Sequence, residues 1–561
     1  MSVPGSTATF RLEALTDFVD DALAVSFTER HVDSMMATLA GMGVARVSWA
    51  YYGDGHGGFA VPVGLDDRWA RLAETYRVLG NPLRVAAAAA HRHGLELYAY
   101  YKPYETGPAI CLPEGSPEAE AYGLVPHRGG SLAWMDPFVA RHPELRLRRR
   151  PDAGLGDRTG APVRALRLTK QDAAPTRITA DHLQIWTSAR NYRYQPLPVP
   201  FAVRDEVVPS PRDVDDIRGT RLTRRGDPVR TLTLTGLSLT DSYILVTTDF
   251  GAGPADFANA GTDILTALDE AGREIPGVPF SGAMIYLADR IDFRNHGLVF
   301  DCGYGRSLAH LDEPNATGKR GCVAFARGRN EYLPGALCET EPAVQAFWLA
   351  CLEEMIAAGV DGVDLRVENH GTHTEYPEEY GFNEVILEQC RRRGQADLET
   401  IAAVRGAAYT AFLRQARQRL RARGRAMRLN LNLDWFRAEP PASRRLAYPA
   451  NITYDWRRWL DAGRLDEGIL RLFALPFDAV FDDAVAGEMI ARCREKGIPL
   501  VVNRYIQPTG AEEFERVRQD GRFAGFILYE TASYLTFDAG GSCSVSHAAA
   551  AEVARRQLRS P

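Results

Sequence analysis

No two of the eight cysteines form a Cys-x-x-Cys pair, and none stands at metal-ligand spacing from a histidine. Scattered cysteines in a chain this long read as reduced thiols, neither a disulfide framework nor a zinc site. No apolar run reaches the roughly 18 residues a membrane-spanning helix needs. No basic segment followed by a short apolar core precedes Asp21, so a cytoplasmic enzyme with no membrane association is expected. Positive charge is not in excess: 72 acids stand against 66 bases, giving a net charge of −6 and a pI of about 6.1. That excludes a nucleic-acid partner held by a basic field. The Arg-rich runs 146–150 and 414–425 are short, and the second reads as the solvated face of a helix. A Gly-x-Gly-x-x-Gly turn opening a helix, a P-loop, His-Glu-x-x-His and Gly-x-Ser-x-Gly are all missing, which argues against nucleotide use, zinc proteolysis and serine hydrolysis. No cofactor and no metal are expected.

What is present is the composition of an ordinary globular protein, 45% hydrophobic and 25% charged over 561 residues, long enough for two or three units. Helix and strand patterns alternate. An amphipathic helix from His31 to Gly43 leads to a strand, Val44–Tyr52; a helix from Arg68 to His93 leads to a strand, Leu95–Lys102. This is the spacing of parallel βα units. The rhythm breaks at 106–175, an irregular connection, and gives way over 176–305 to short alternating strands with turn residues between them, the pattern of an antiparallel β-sandwich. The βα rhythm then resumes. Gly321–Ala326 is expected as the third barrel strand, Val360–Glu368 as the fourth and Met427–Asp434 as the fifth. The sixth is either Glu467–Phe473 or Ala479–Asp482, with Pro499–Arg504 seventh and Phe523–Glu530 eighth. The expected fold is α/β: a (β/α)8 TIM barrel built from 1–105 and 306–561, interrupted by the sandwich.

The chemistry concentrates in Gly359–His370. Side chains alternate along a strand, so Asp364, Arg366 and Glu368 share one face while Val363, Leu365 and Val367 share the other. Ionisable groups on one face of an apolar strand are costly to bury unless they pair or react. The chemistry of such barrels sits at the C-terminal ends of the strands.

Several phrases resemble the hypothetical glycosyl-hydrolase-like barrel proteins of bacteria, loosely called family 10 glycosylhydrolases. They are Arg141-His-Pro-Glu-Leu-Arg146, Gly359-Val-Asp-Gly-Val-Asp-Leu-Arg366, Tyr380-Gly-Phe-Asn-Glu384, Tyr454-Asp-Trp456 and Ile527-Leu-Tyr-Glu530. The likeness spans both barrel parts and not the sandwich; it implies a TIM barrel and a carbohydrate substrate. In the large clan of retaining barrel glycosidases, Asn-Glu ends the fourth strand and Glu the seventh. Here the order is Glu368-Asn369, and the seventh ends in Asn503-Arg504, so catalytic roles are not carried over from that pattern.

Glycoside hydrolysis needs two carboxyls, one protonated and one ionised. Glu368 is the first candidate, with Asp434, Asp364 or Glu530 as its partner. Trp49, Tyr101 and Trp435 are strand-end rings for stacking on sugar faces. Lys102, Arg366, Asn503 and Arg504 are donors for hydroxyls or a sugar carboxylate. Asn432 lies on the polar face of its strand, and His370 and Asp455 complete the substrate-binding set; the alternative for Asp455 is a helix cap. The rival functions are a metal-dependent barrel isomerase or lyase and a non-catalytic sugar-binding barrel. The sandwich would shape the cleft, bind carbohydrate or join copies into a homo-oligomer.

Overall fold

The structure, a computed structural model, describes residues 10–58, 67–105, 111–112, 120, 126–127, 130–132, 136–151, 156–215, 221–249, 265–279, 285–286, 321–367, 377–437, 451–472 and 475–559. Eight parallel strands close into a barrel: β1 (Arg11–Thr16), β2 (Val44–Ala50), β3 (Glu96–Tyr101), β4 (Gly362–Leu365), β5 (Ala426–Asn432), β6 (Glu467–Arg471), β7 (Leu500–Tyr505) and β8 (Gly525–Tyr529). The expected (β/α)8 barrel is therefore present, but two of its strands differ from the expectation. The first is Arg11–Thr16, whose charges at Arg11 and Glu13 interrupt the apolar run because they face the lumen. Gly321–Arg327 is not a barrel strand: it pairs antiparallel with Tyr243–Thr248. The sixth strand is Glu467–Arg471, and Ala479–Asp482 is a short helix.

The two largest antiparallel sheets among the described residues lie between β3 and β4 in the chain. One orders Ala202–Pro209, Pro228–Leu239, Val163–Lys170 and Leu265–Leu268; the other has six strands centred on Tyr243–Thr248 and Gly321–Arg327. Their strands extend beyond the expected 176–305 at both ends. Leu166, Leu168, Leu232 and Leu234 from the first sheet share a core with Ile185, Leu245 and Val246 from the second.

The strand period of two sorts the barrel side chains. Val363, Leu365, Leu429 and Leu431 face the helices and are buried there. The lumen-facing positions are polar from floor to mouth. On the floor, Arg428 donates to Glu13 at 2.7 Å and pairs with Glu467 at 2.9 Å, while Arg46 reaches Glu467 at 3.0 Å. Arg46 lies 4.1 Å from the ring centre of Tyr98. Gly362 makes room for that ring: a Cβ there would come within 2.5 Å of it. Among the described residues no helix is long and apolar enough to cross a membrane.

Candidate active site

The C-terminal rim of the barrel brings together carboxyls from β1 and β8, a lysine from the end of β3, and arginines from β4 and β6. Asp17 follows β1 with the lumen-facing parity of Glu13. Its carboxylate accepts the Tyr52 hydroxyl at 2.7 Å and lies 3.6 Å from the Lys102 ammonium. Lys102 also pairs with Glu105 at 2.7 Å. Burial opposes its charge, but Glu105, Tyr100 and Asp17 outweigh that and hold the ammonium well above its ordinary value.

Glu530 ends β8 in a left-handed backbone conformation, φ +57°. A non-glycine residue there costs about 1–3 kcal/mol, a strain that clusters at working sites. Its neighbours lock it in place. Ser533 donates to the Glu530 carbonyl through its backbone N–H at 3.0 Å and its hydroxyl at 2.7 Å. The Thr531 hydroxyl donates to Asp21 at 2.8 Å. The Glu530 carboxyl accepts the Tyr505 hydroxyl at 2.9 Å. Burial, then the nearby charge of Asp17, raise its pKa above that of an ordinary glutamate; Tyr505, Arg471 and Lys102 act the other way. Removing the tyrosine hydroxyl in Tyr505→Phe therefore raises the Glu530 pKa further. The expected result is an alkaline shift of whichever limb of the pH–rate profile reports Glu530, with folding unchanged by circular dichroism.

Above the floor, Arg366 pairs with Asp364 at 3.2 Å, and both are fully buried. The Arg366 guanidinium lies 4.1 Å from the ring centre of Tyr100 and 5.3 Å from that of Tyr529. The hydroxyls of those tyrosines, from opposite sides of the lumen, are 3.5 Å apart. Arg471 sits 4.0 Å from the Tyr529 ring centre.

Of the residues singled out from sequence, the structure brings Asp364, Arg366, Lys102, Asn432, Asn503 and Glu530 to the lumen or its mouth. Asp434 is buried in the turn after β5 and accepts the Leu475 N–H at 3.1 Å. Asn432 accepts the Trp435 N–H at 3.1 Å, and Trp435 is buried. Four placements depart from the expectation. Trp49 faces the helices and stacks on Phe18 at 5.1 Å. Tyr101 points the same way, edge-on to Tyr51 at 5.7 Å. Arg504 turns outward to Glu513 at 3.0 Å. Asp455 is exposed and caps the helix Trp456–Asp461 by accepting the Arg458 N–H at 3.2 Å. The first three have the wrong parity: Ser48, Tyr100 and Asn503 hold the lumen positions beside them. Glu368 and His370 lie outside the described residues. Sequence reading missed Asp17, Tyr100, Glu105, Arg471, Tyr505 and Tyr529; parity with Glu13, Lys102, Glu467 and Asn503 would have found most of them.

Beneath the rim, Asp54 accepts the Leu83 N–H at 2.9 Å and the Tyr52 N–H at 3.4 Å. Burial pushes Asp54 and Asp21 each from 3.8 up to about 7. Both pKa values are higher in the folded than in the unfolded chain, so the folded state binds more protons in this window. The stability they confer is full below about pH 4 and is lost as pH rises towards 7. Asp21→Asn keeps an acceptor for the Thr531 hydroxyl and is expected to flatten part of the pH dependence of the melting temperature between pH 4.5 and 7.5. An unchanged slope would refute this.

No family model and no curated protein matches the chain. Solved structures match the chain at low TM-scores. The catalytic domain of a β-amylase from Paenibacillus polymyxa is 9% identical, covering 96% of this chain and 95% of that one, TM-score 0.36. The glycoside hydrolase domain of PelA from Pseudomonas aeruginosa is 16% identical over 37% of this chain and 67% of that one, TM-score 0.21. A morphinone reductase is 10% identical over 92% and 82%, TM-score 0.33.

Proposed function

We propose that the chain is a glycoside hydrolase of the glycosyl-hydrolase-like barrel group, with the reaction at the rim between β1 and β8. The observation that carries this reading is Glu530: a half-buried carboxyl, raised in pKa by desolvation and by the charge of Asp17, on strained backbone at a strand's C-terminal end. A carboxyl whose pKa is raised by its surroundings suits the role of general acid. Glu530 would protonate the leaving oxygen. Asp17, facing the Tyr52 hydroxyl and the Lys102 ammonium, is assigned as the ionised partner, acting as nucleophile or base. Glu368 enters the test as the competing candidate. Asp364 and Asp434 are assigned to holding Arg366 and the turn after β5.

The test is a panel of aryl glycosides and oligosaccharides run on wild type, Glu530→Gln, Asp17→Asn and Glu368→Gln, with the product anomer followed by NMR. Turnover lost in Glu530→Gln supports the reading, and whichever of the other two is equally damaged names the partner. Turnover that survives in Glu530→Gln overturns it, as does saccharide binding without hydrolysis of any substrate. Among the described residues no group of three or more His, Cys, Asp or Glu side chains is arranged to hold a metal ion; sensitivity to chelator would favour the isomerase or lyase alternative.

A further inference from the structure

The upper lumen contains buried donors with no hydrogen-bond partner. They are Nε and Nη1 of Arg366 and Nδ2 of Asn503. Arg366 is fully buried, and Asn503 is 1% exposed. Asp364 engages only Nη2 of Arg366. A buried donor left without a partner costs about 1–3 kcal/mol, more when it is charged, so each calls for an explanation. Water or a ligand group would supply the missing acceptor.

The charges select between ligands. Arg471 lies in register with Asn503 on the adjacent strand. Its guanidinium and that of Arg366 lie 4.0 and 5.3 Å from the centre of the same ring, Tyr529. The charge of Arg471 acts against that of Arg366, as like charges in a buried lumen do. Asp364 offsets Arg366 through Nη2 alone; an anionic oxygen would satisfy the remaining Arg366 donors and reduce the repulsion between the guanidiniums, which a neutral sugar hydroxyl would not. Charge-assisted hydrogen bonds of this kind are about twice as strong as neutral ones.

We infer that the barrel mouth recognises an anionic sugar, whose carboxylate or sulfate is received by Arg366, Arg471 and the Asn503 amide. For turnover this rests on the glycoside hydrolase reading; for binding it stands alone. The Tyr100 and Tyr529 rings would bound the pocket and take the sugar's C–H faces. Glu530 lies at the same mouth, so the anion enters on the arginine side.

Two arms separate the readings. In the first, 4-nitrophenyl glucuronide and galacturonide are compared with the matching glucoside and galactoside. A preference of at least tenfold in kcat/KM for the uronides is expected, falling by at least tenfold in Arg366→Lys. In the second, galacturonate, galactose 6-sulfate and galactose are titrated by NMR, which needs no turnover. Either anion binding at least tenfold tighter than galactose supports the inference, and the better of the two identifies the anionic group. Asn503→Leu guards against misfolding of the Arg366 variant: its amide donor has no partner to lose, so the melting temperature should hold while anion affinity falls. Neutral sugars bound or cleaved as well as the anionic ones would overturn the inference while leaving the hydrolase reading intact. Anion binding without cleavage of any glycoside would do the reverse.

Discussion

Glu530→Gln is expected to lower kcat/KM on an unactivated glycoside about a thousandfold, within the roughly 10²–10⁴-fold range of positioned acid catalysis. The loss should shrink for a 2,4-dinitrophenyl leaving group, which departs without a proton. That contrast separates the loss of an acid from the loss of a binding contact. The pH dependence gives a second readout. The acid works only while protonated, and burial together with Asp17 raises its pKa. Wild-type activity should therefore hold through the weakly acidic range and fall as pH rises past that raised value; the variant should lose this limb. Stability should move the other way. Because the folded pKa exceeds the unfolded one, ionised Glu530 is a burden at neutral pH that protonation removes. The glutamine is isosteric and still accepts the Tyr505 hydroxyl, so its melting temperature at pH 7.5 should equal or exceed that of the wild type. A variant that melts earlier and loses activity equally on all leaving groups would mark Glu530 as structural.

The second large effect is on the barrel floor. Arg428 is fully buried between Glu13 and Glu467. Arg428→Met leaves two carboxylates with less compensation in the lumen, and breaking a buried pair from one side costs about 3–5 kcal/mol. Replacing a pair with apolar groups of similar volume is often close to neutral. Glu13→Leu/Arg428→Met leaves Arg11 and Arg46 with Glu467 and Glu96, two charges of each sign, and should recover most of the loss. Denaturation midpoints at pH 7 measure both. A single variant within about 1 kcal/mol of wild type would mean that the floor ions are well hydrated, contrary to their burial.

How far the sequence reached is clearest at β4. Its alternation placed Asp364 and Arg366 on the lumen face and Val363 and Leu365 on the helix face, and the structure has them there. The same rule applied to β2, β3 and β7 would have favoured Ser48, Tyr100 and Asn503 over Trp49, Tyr101 and Arg504. The sequence reading names Trp49 and Tyr101 on β2 and β3, and on β7 it names both Asn503 and its outward neighbour Arg504. β1 is absent from the expected strands: Arg11 and Glu13 break its apolar pattern, and only their partners on β2, β5 and β6 account for them. Gly321–Arg327 is apolar enough to be a barrel strand, and only its pairing with Tyr243–Thr248 assigns it elsewhere.

Local order therefore followed from the sequence alone: the alternation of helix and strand, the interrupting β-rich segment, and the polar faces of β4 and β5, because periodicity depends on neighbours a few residues away. Which ions cancel, which donors stay without partners, and that Asp17 comes near enough to raise the pKa of Glu530 from more than 500 residues away in the chain were decided by the closing of the barrel. Closure brings together groups whose separation along the chain carries no information about their separation in space.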